Sequence, residues 1–194
     1  MTSYADHWRA ASLLGLALSY ATLRYNVFKG VPWVDWPAYT VNKALAVGAL
    51  LIIAAAVIRL ARSAGRGGVL LGWAGALALA HSLLSFAMLN PVYYPRLFDD
   101  GRLTAIGGLA MALGALLMAA MDVGARRSVG WSHATRHRTL ALIALGSGVH
   151  AALPGLPSWT APGSWLGGLP PLTLISFLAG VLAVAVWLPR ARAH

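Results

Sequence analysis

Apolar residues run along this chain in long blocks, and polar residues gather in the short breaks between them. Six blocks stand out, at roughly 9–25, 41–61, 69–89, 103–121, 136–153 and 171–188. Each is near the ~20 residues that an α-helix needs to cross ~30 Å of hydrocarbon. The breaks are rich in helix-ending residues: Ser63-Ala64-Gly65-Arg66-Gly67-Gly68, then Asn90-Pro91 through Gly101, then a stretch holding Pro154, Pro157, Pro162, Pro170 and Pro171. The pattern predicts an all-α polytopic transmembrane bundle of six spans, forming one domain over 1–194. The first block is the most polar and, following Arg9, has the look of a signal peptide. A start at Met1 favours an uncleaved first helix.

Composition narrows the chemistry. Hydrophobic residues make up 59% and charged residues 10%, which leaves no room for a soluble domain. There is no Cys, Glu or Gln, and this excludes thiolate-held iron–sulfur clusters, covalent C-x-x-C-H haem and Glu-based di-iron sites. All five Asp fall outside the longest apolar stretches, so paired-carboxylate catalysis inside the membrane is not expected. The net charge of +10 reflects Arg flanking the spans rather than nucleic-acid binding. Arg9, Arg59, Arg62, Arg66, Arg126, Arg127, Arg136, Arg138, Arg190 and Arg192 fall on one face, and Arg24, Lys29, Lys43, Arg96 and Arg102 on the other. This bias places both termini in the cytoplasm. Trp33, Trp36, Trp159 and Trp165 on the outer side, with Trp8, Trp131 and Trp187 on the inner, form the expected interfacial belts.

With that orientation the histidines acquire depths. His81 lies in the outer half of span three, His150 near the outer end of span five, and His137 near its inner end. An imidazole in hydrocarbon is costly unless it faces the bundle interior and finds a hydrogen bond, a proton or a metal. His137 and His150 are 13 positions apart, which separates them by ~20 Å at ~1.5 Å per residue and puts them on different stripes of the helix. They cannot share one metal. His81 and His150, on different helices at comparable depth, suit a planar macrocycle held between two neutral imidazoles. Gly72 and Gly75 before His81, and Gly146 and Gly148 before His150, offer either the room such a group needs or ordinary small-residue helix packing.

The order of these features resembles the ferric reductase-like transmembrane domain, and within it the six-helix haem b membrane subunits that supply electrons to bacterial periplasmic methionine sulfoxide reductases. The matching segments are Tyr39-Thr40-Val41-Asn42-Lys43-Ala44-Leu45, Leu70-Leu71-Gly72-Trp73-Ala74 leading to His81-Ser82-Leu83-Leu84-Ser85-Phe86, and Ser128-Val129-Gly130-Trp131 ahead of His137 and His150, so the likeness covers roughly 39–153. In that family one His in span three and two His 13 apart in span five carry the haem chemistry. The chain departs in its longer spacing from Trp131 to His137, and in having Gly67-Gly68-Val69 where four-His relatives place another ligand. A second, inner haem on His137 therefore lacks a partner unless His133 or an external ligand supplies one.

The resemblance implies transmembrane electron transfer through haem b, with His81 and His150 as iron ligands, His137 as a further haem-contacting candidate, and Lys43 and Arg24 near the propionates. The plainer alternatives stay open: buried imidazoles bonded to Ser or backbone, His137 as part of the basic patch of Arg126, Arg127, Arg136 and Arg138, and Lys43 and Arg24 snorkelling to lipid phosphates. No G-x-G-x-x-G fingerprint is present, so an enzyme role would be that of the membrane component of an oxidoreductase, fed by a separate cytoplasmic or quinol donor and delivering to an outer-face redox partner. The expected location is the bacterial inner membrane. The alternative is a haem-free structural or assembly subunit of a larger membrane complex. A solute transporter is disfavoured, because inverted repeats, half-helix breaks and intramembrane charges are lacking.

Overall fold

In a computed structural model, which describes residues 2–62, 68–127 and 130–191, the chain forms six long helices: α1 (Thr2–Thr22), α2 (Val41–Arg62), α3 (Gly68–Ala87), α4 (Ala105–Arg127), α5 (His133–Gly155) and α6 (Leu172–Ala191). The break expected at 63–68 lies outside the described residues except for Gly68, as do Ser128, Val129, Arg192 and His194. Five stretches are long and apolar enough to cross a membrane, containing α2, α3, most of α4, α5 and α6. A chain with five such helices is a multi-pass membrane protein. The remaining helix, α1, is equally long but carries Asp6, His7 and Arg9 in its first half.

Those polar residues are internally matched. Asp6 is buried, and its Oδ1 accepts from Arg9 Nη1 at 2.8 Å and lies 3.2 Å from Arg59 Nη1 on α2. Trp73 Nε1 on α3 donates to His7 Nδ1 at 2.9 Å. These contacts fasten the first half of α1 to its two neighbours. Removing a buried partner leaves a stranded charge, although the exposure of Arg9 softens the effect. Asp6→Ala is expected to cost about 2 kcal/mol and lower Tm by roughly 5 °C. A thermal melt in detergent checks this, and an unchanged midpoint would mean that water or lipid replaces the carboxylate at no cost.

Cross-helix contacts show that successive helices alternate in direction. Asn42 at the start of α2 meets His81 late in α3, Ala110 early in α4 meets His150 late in α5, and Gly155 at the end of α5 abuts Thr173 at the start of α6. The first residues of α1 and the last of α6 therefore lie at one end of the bundle. Helix α2 is central: Ile52, Ile53, Ala56 and Val57 are buried against Leu70, Ala74 and Leu77 of α3, Ala141 and Ala144 of α5, and Ala179 and Ala183 of α6. Small residues let α5 and α6 approach closely. A Cβ on Gly180 would stand 2.6 Å from the Ala144 carbonyl oxygen, and one on Gly148 would stand 3.0 Å from the Phe177 Cα. By contrast α4 rests mainly on α5 and touches α3 only lightly, so α3 and α4 keep broad apolar faces outward.

The opposite end is built from the connections. Leu23–Phe28 and Trp36–Thr40 are π-helical turns, locked where Thr40 Oγ1 donates to Asn26 Oδ1 at 2.7 Å and Trp36 Nε1 to Thr22 Oγ1 at 2.9 Å. Between α3 and α4, β1 (Phe98–Asp99) pairs antiparallel with β2 (Arg102–Leu103). The turn joining them uses Asp100 and Gly101 at positive φ, 45° and 73°, which is the conformation that Asp-Gly favours in a two-residue hairpin. Helix α5 differs from expectation at both ends. It begins at His133 because Ser132 Oγ accepts from the Thr135 N–H at 3.1 Å, and it runs through Pro154, which the sequence marks as a break. Proline in the last turn removes only the N–H that would have bonded the His150 carbonyl. The tryptophan belts are also partly internal. Trp8 and Trp33 are exposed, but Trp159 donates to Thr173 and Trp165 to the Ser158 carbonyl.

Candidate functional site

Two histidines, on α3 and α5, are each bonded through one ring nitrogen to a neighbouring helix. On α3, the His81 Nδ1 lies 2.8 Å from Asn42 Oδ1 and 3.2 Å from the Asn42 carbonyl oxygen. Both partners are acceptors, so Nδ1 carries the proton and donates. Asn42 is fully buried, and its amide orientation is set from the other side: Nδ2 donates to Tyr94 Oη at 2.7 Å and to Ser85 Oγ at 3.0 Å. Tyr94 Oη in turn donates to Ser85 Oγ at 3.2 Å. On α5, the His150 Nδ1 donates to the Ala110 carbonyl at 2.8 Å, and its ring lies over Gly114 of α4, where a Cβ would stand 3.2 Å from the His150 Cε1.

The chemical consequence is the same for both rings. With Nδ1 protonated and bonded to a protein acceptor, Nε2 presents its lone pair, as in histidines that bind a metal while a protein acceptor holds the other ring nitrogen. The two imidazoles are within electrostatic reach of one another, and Lys43 is within reach of His81. Among the described residues no three His or Asp side chains converge as a metal-binding group. An ion held by this pair would need its remaining ligands from elsewhere, and a macrocycle supplies four in a plane.

The glycines divide by role. Gly72 and Gly75 on α3 face open space, with nothing within 4 Å of an added Cβ. Gly146 and Gly148 do not line a gap; Gly146 faces Leu117, and Gly148 lies against the α6 backbone, as helix packing requires. Gly114, which the sequence reading passed over, is the glycine that makes room for a histidine ring.

The other candidates lie at the two ends. Lys43 Nζ sits over the rings of Tyr94 and Tyr39, 4.2 and 5.1 Å from their centroids. Arg24 is buried and spends Nη1 on the Leu169 carbonyl, tying the first connection to the last. His137 is buried near the opposite end, its ring centroid 6.2 Å from that of exposed His133. The structure thus places Lys43 beside Asn42, the partner of His81, at the end of the bundle where His150 also lies, and places His137 near the other end. His7 differs in tautomer from the pair: its Nδ1 accepts from Trp73, so Nε2 holds the proton. The residues missed from sequence are Asn42, Ser85, Tyr94 and Gly114. A lone Asn at the start of an apolar run was the available signal, because a buried amide must find partners. No protein-family model matches the chain, and no curated protein matches it.

Proposed function

We propose that the chain is a haem b-binding electron-transfer subunit of a bacterial inner membrane, with both termini cytoplasmic and α1 as its sixth span. The observation that carries this reading is the pair of Nδ1-bonded imidazoles on α3 and α5, each with an Nε2 lone pair available. The donor set suits an iron porphyrin: two neutral nitrogen ligands, Gly114 under one ring, and the Lys43 ammonium at the same end for a propionate. Arg24 keeps further N–H donors beyond the one given to Leu169 and is the second propionate candidate. His137, near the other end, is kept as a candidate for a separate inner haem, with His133 as its nearest imidazole.

Haem bound here would supply a one-electron carrier within the bilayer, between a cytoplasmic or quinol donor and an outer-face acceptor. The protein's own residues define its setting. Asn42 and the Ala110 carbonyl hold the ligand tautomers, apolar helices exclude water, and Lys43 offers positive charge that favours the reduced state. The resemblance to the ferric reductase-like domain supports the same assignment, since His81, His137 and His150 occupy its ligand pattern. A haem-free structural or assembly subunit is the second reading, favoured by the exposed Trp33, Val34 and Val92 at the connection end. Oxidised and dithionite-reduced absorption spectra of protein expressed with ample haem separate the two. A Soret band with sharp reduced α and β bands is expected, and a featureless spectrum sinks the haem assignment.

A further inference from the structure

Four tyrosines gather at the connection end. Tyr94 Oη accepts from Asn42, whose Oδ1 is the His81 acceptor, and the Tyr94 ring shares the Lys43 ammonium with Tyr39, at 4.2 and 5.1 Å from the two centroids. Tyr39 in turn stacks on Tyr93, with centroids 6.1 Å apart and ring planes at 28°, and meets Tyr25 edge-on at 5.4 Å. Tyr93 Oη donates to Asp35 Oδ1 at 3.2 Å. The turn that carries Tyr93 is itself fixed, since Asn90 Oδ1 accepts from the Val92 and Tyr93 N–H groups at 2.9 and 3.2 Å. Contacts therefore run unbroken from His81 through Asn42, Tyr94, Lys43, Tyr39 and Tyr93 to the half-buried carboxylate of Asp35.

The stacked phenols differ in charge environment. Two ammonium groups face the Tyr39 ring, Lys43 and, at 5.7 Å, Lys29, and positive charge opposes removal of an electron from that ring. Tyr93 has a carboxylate on its hydroxyl instead. Among the described residues Asp35 is in no salt bridge, so that carboxylate is available to a proton. A phenol yields an electron more readily when its proton leaves too, because a neutral radical remains rather than a cation. An electron vacancy on this array therefore moves outward from Tyr39 and rests on Tyr93. We propose that Tyr93 and Asp35 form a redox-active pair that drains oxidising equivalents from the His81 end to the surface, with Tyr39 as the relay. One electron passes from Tyr93 through Tyr39 to the oxidant, while the phenol O–H bond breaks and its proton bonds the Asp35 carboxylate. A thiol or ascorbate at the surface then reduces the tyrosyl radical back to phenol. The oxidant is of the hydroperoxide class: two such electrons and two protons turn ROOH into ROH and water. Its reduction at the His81 end rests on the haem reading, and the path from Tyr39 to Asp35 does not.

The test uses the path alone. Because the chain has no Cys, Lys29→Cys gives a single attachment point for a ruthenium polypyridyl photo-oxidant, at a side chain whose end stands 5.7 Å from the Tyr25 and Tyr39 rings. After a flash with an electron scavenger, radicals on the full chain in nanodiscs are captured by a nitroso spin trap and located by peptide mass spectrometry. The adduct is expected on Tyr93. Tyr39→Phe, which keeps the stack but has no phenol to relay, and Asp35→Asn, which removes the base, are each expected to lower it about tenfold. A melting curve verifies that each variant folds, and slower radical formation in deuterated buffer reports the proton transfer without touching Asp35. An adduct that stays on Tyr25 or Tyr39, or forms elsewhere, overturns the proposal. A Tyr93 adduct undiminished in folded Tyr39→Phe overturns the relay. One undiminished in folded Asp35→Asn, or formed equally fast in both buffers, overturns the pair.

Discussion

His81→Ala and His150→Ala are each expected to remove the low-spin bis-imidazole spectrum while the protein still inserts in the membrane. Among the described residues, each substitution deletes one of the two imidazoles at that end of the bundle, and the sequence has no Cys to replace it. Loss of a directly ligating side chain should exceed the roughly 10- to 100-fold loss in affinity that follows from disturbing a ligand's hydrogen-bond partner. Insertion is unaffected because the apolar stretches that direct it are unchanged. Haem content per protein, measured by pyridine haemochrome, together with membrane-fraction yield, separates the two effects. A variant that keeps the wild-type bands removes its histidine from the ligand pair. If only one variant loses the bands, the histidine whose loss is tolerated is not an axial ligand.

The second large effect belongs to Asn42. In Asn42→Leu the His81 Nδ1–H loses its closer, side-chain acceptor and the amide that ties Tyr94 and Ser85 to it, and keeps only the backbone carbonyl at 3.2 Å, so the ring is held less firmly in one tautomer. Haem occupancy is expected to fall by about tenfold, as when a ligating histidine loses the hydrogen-bond partner that orients it. Asn42→Asp keeps the acceptor and strengthens it with a negative charge. That variant should bind haem again but with a lower midpoint potential, because a more basic imidazole stabilises the oxidised iron. A purely structural Asn would give the opposite ordering: Asp, as a charge in an apolar setting, would do more harm than Leu. Redox titration of the two variants decides which holds.

How much of this was legible beforehand follows from the physics of each element. Apolar block length is a strong signal in a bilayer, since backbone groups in hydrocarbon must be satisfied within the helix, and five of the six blocks correspond to helices long enough to cross. The ends were less visible. Ser132 moves the start of α5 back because a cap acts over a few residues and needs no apolar periodicity, and Pro154 is tolerated because it falls in the last turn. The two histidines could be found because an imidazole in an apolar run is an anomaly. Their partners could not, because Asn42 and Ala110 are 39 and 40 residues away in sequence, and a backbone carbonyl has no sequence signature at all. Arg24 read as a cation for a propionate or a lipid phosphate, and only the packed connection end shows it turned inward onto Leu169. The π-helical turns and the short hairpin were likewise hidden among residues that read simply as breaks.

The ties between the first and last connections bear on how the chain is made. Tyr20 and Arg24 donate to the Pro170 and Leu169 carbonyls, acceptors 150 and 145 residues downstream. At ~5–20 residues per second, a ribosome needs roughly 7 to 30 s to deliver those acceptors after Arg24 has emerged. During that interval the Arg24 charge has only water, lipid headgroups or a membrane insertase to shelter it. Until then the Arg24 guanidinium lacks the Leu169 acceptor it holds in the finished fold. A nascent chain truncated before Leu169 should consequently leave position 24 open to aqueous labelling, whereas the finished protein hides it.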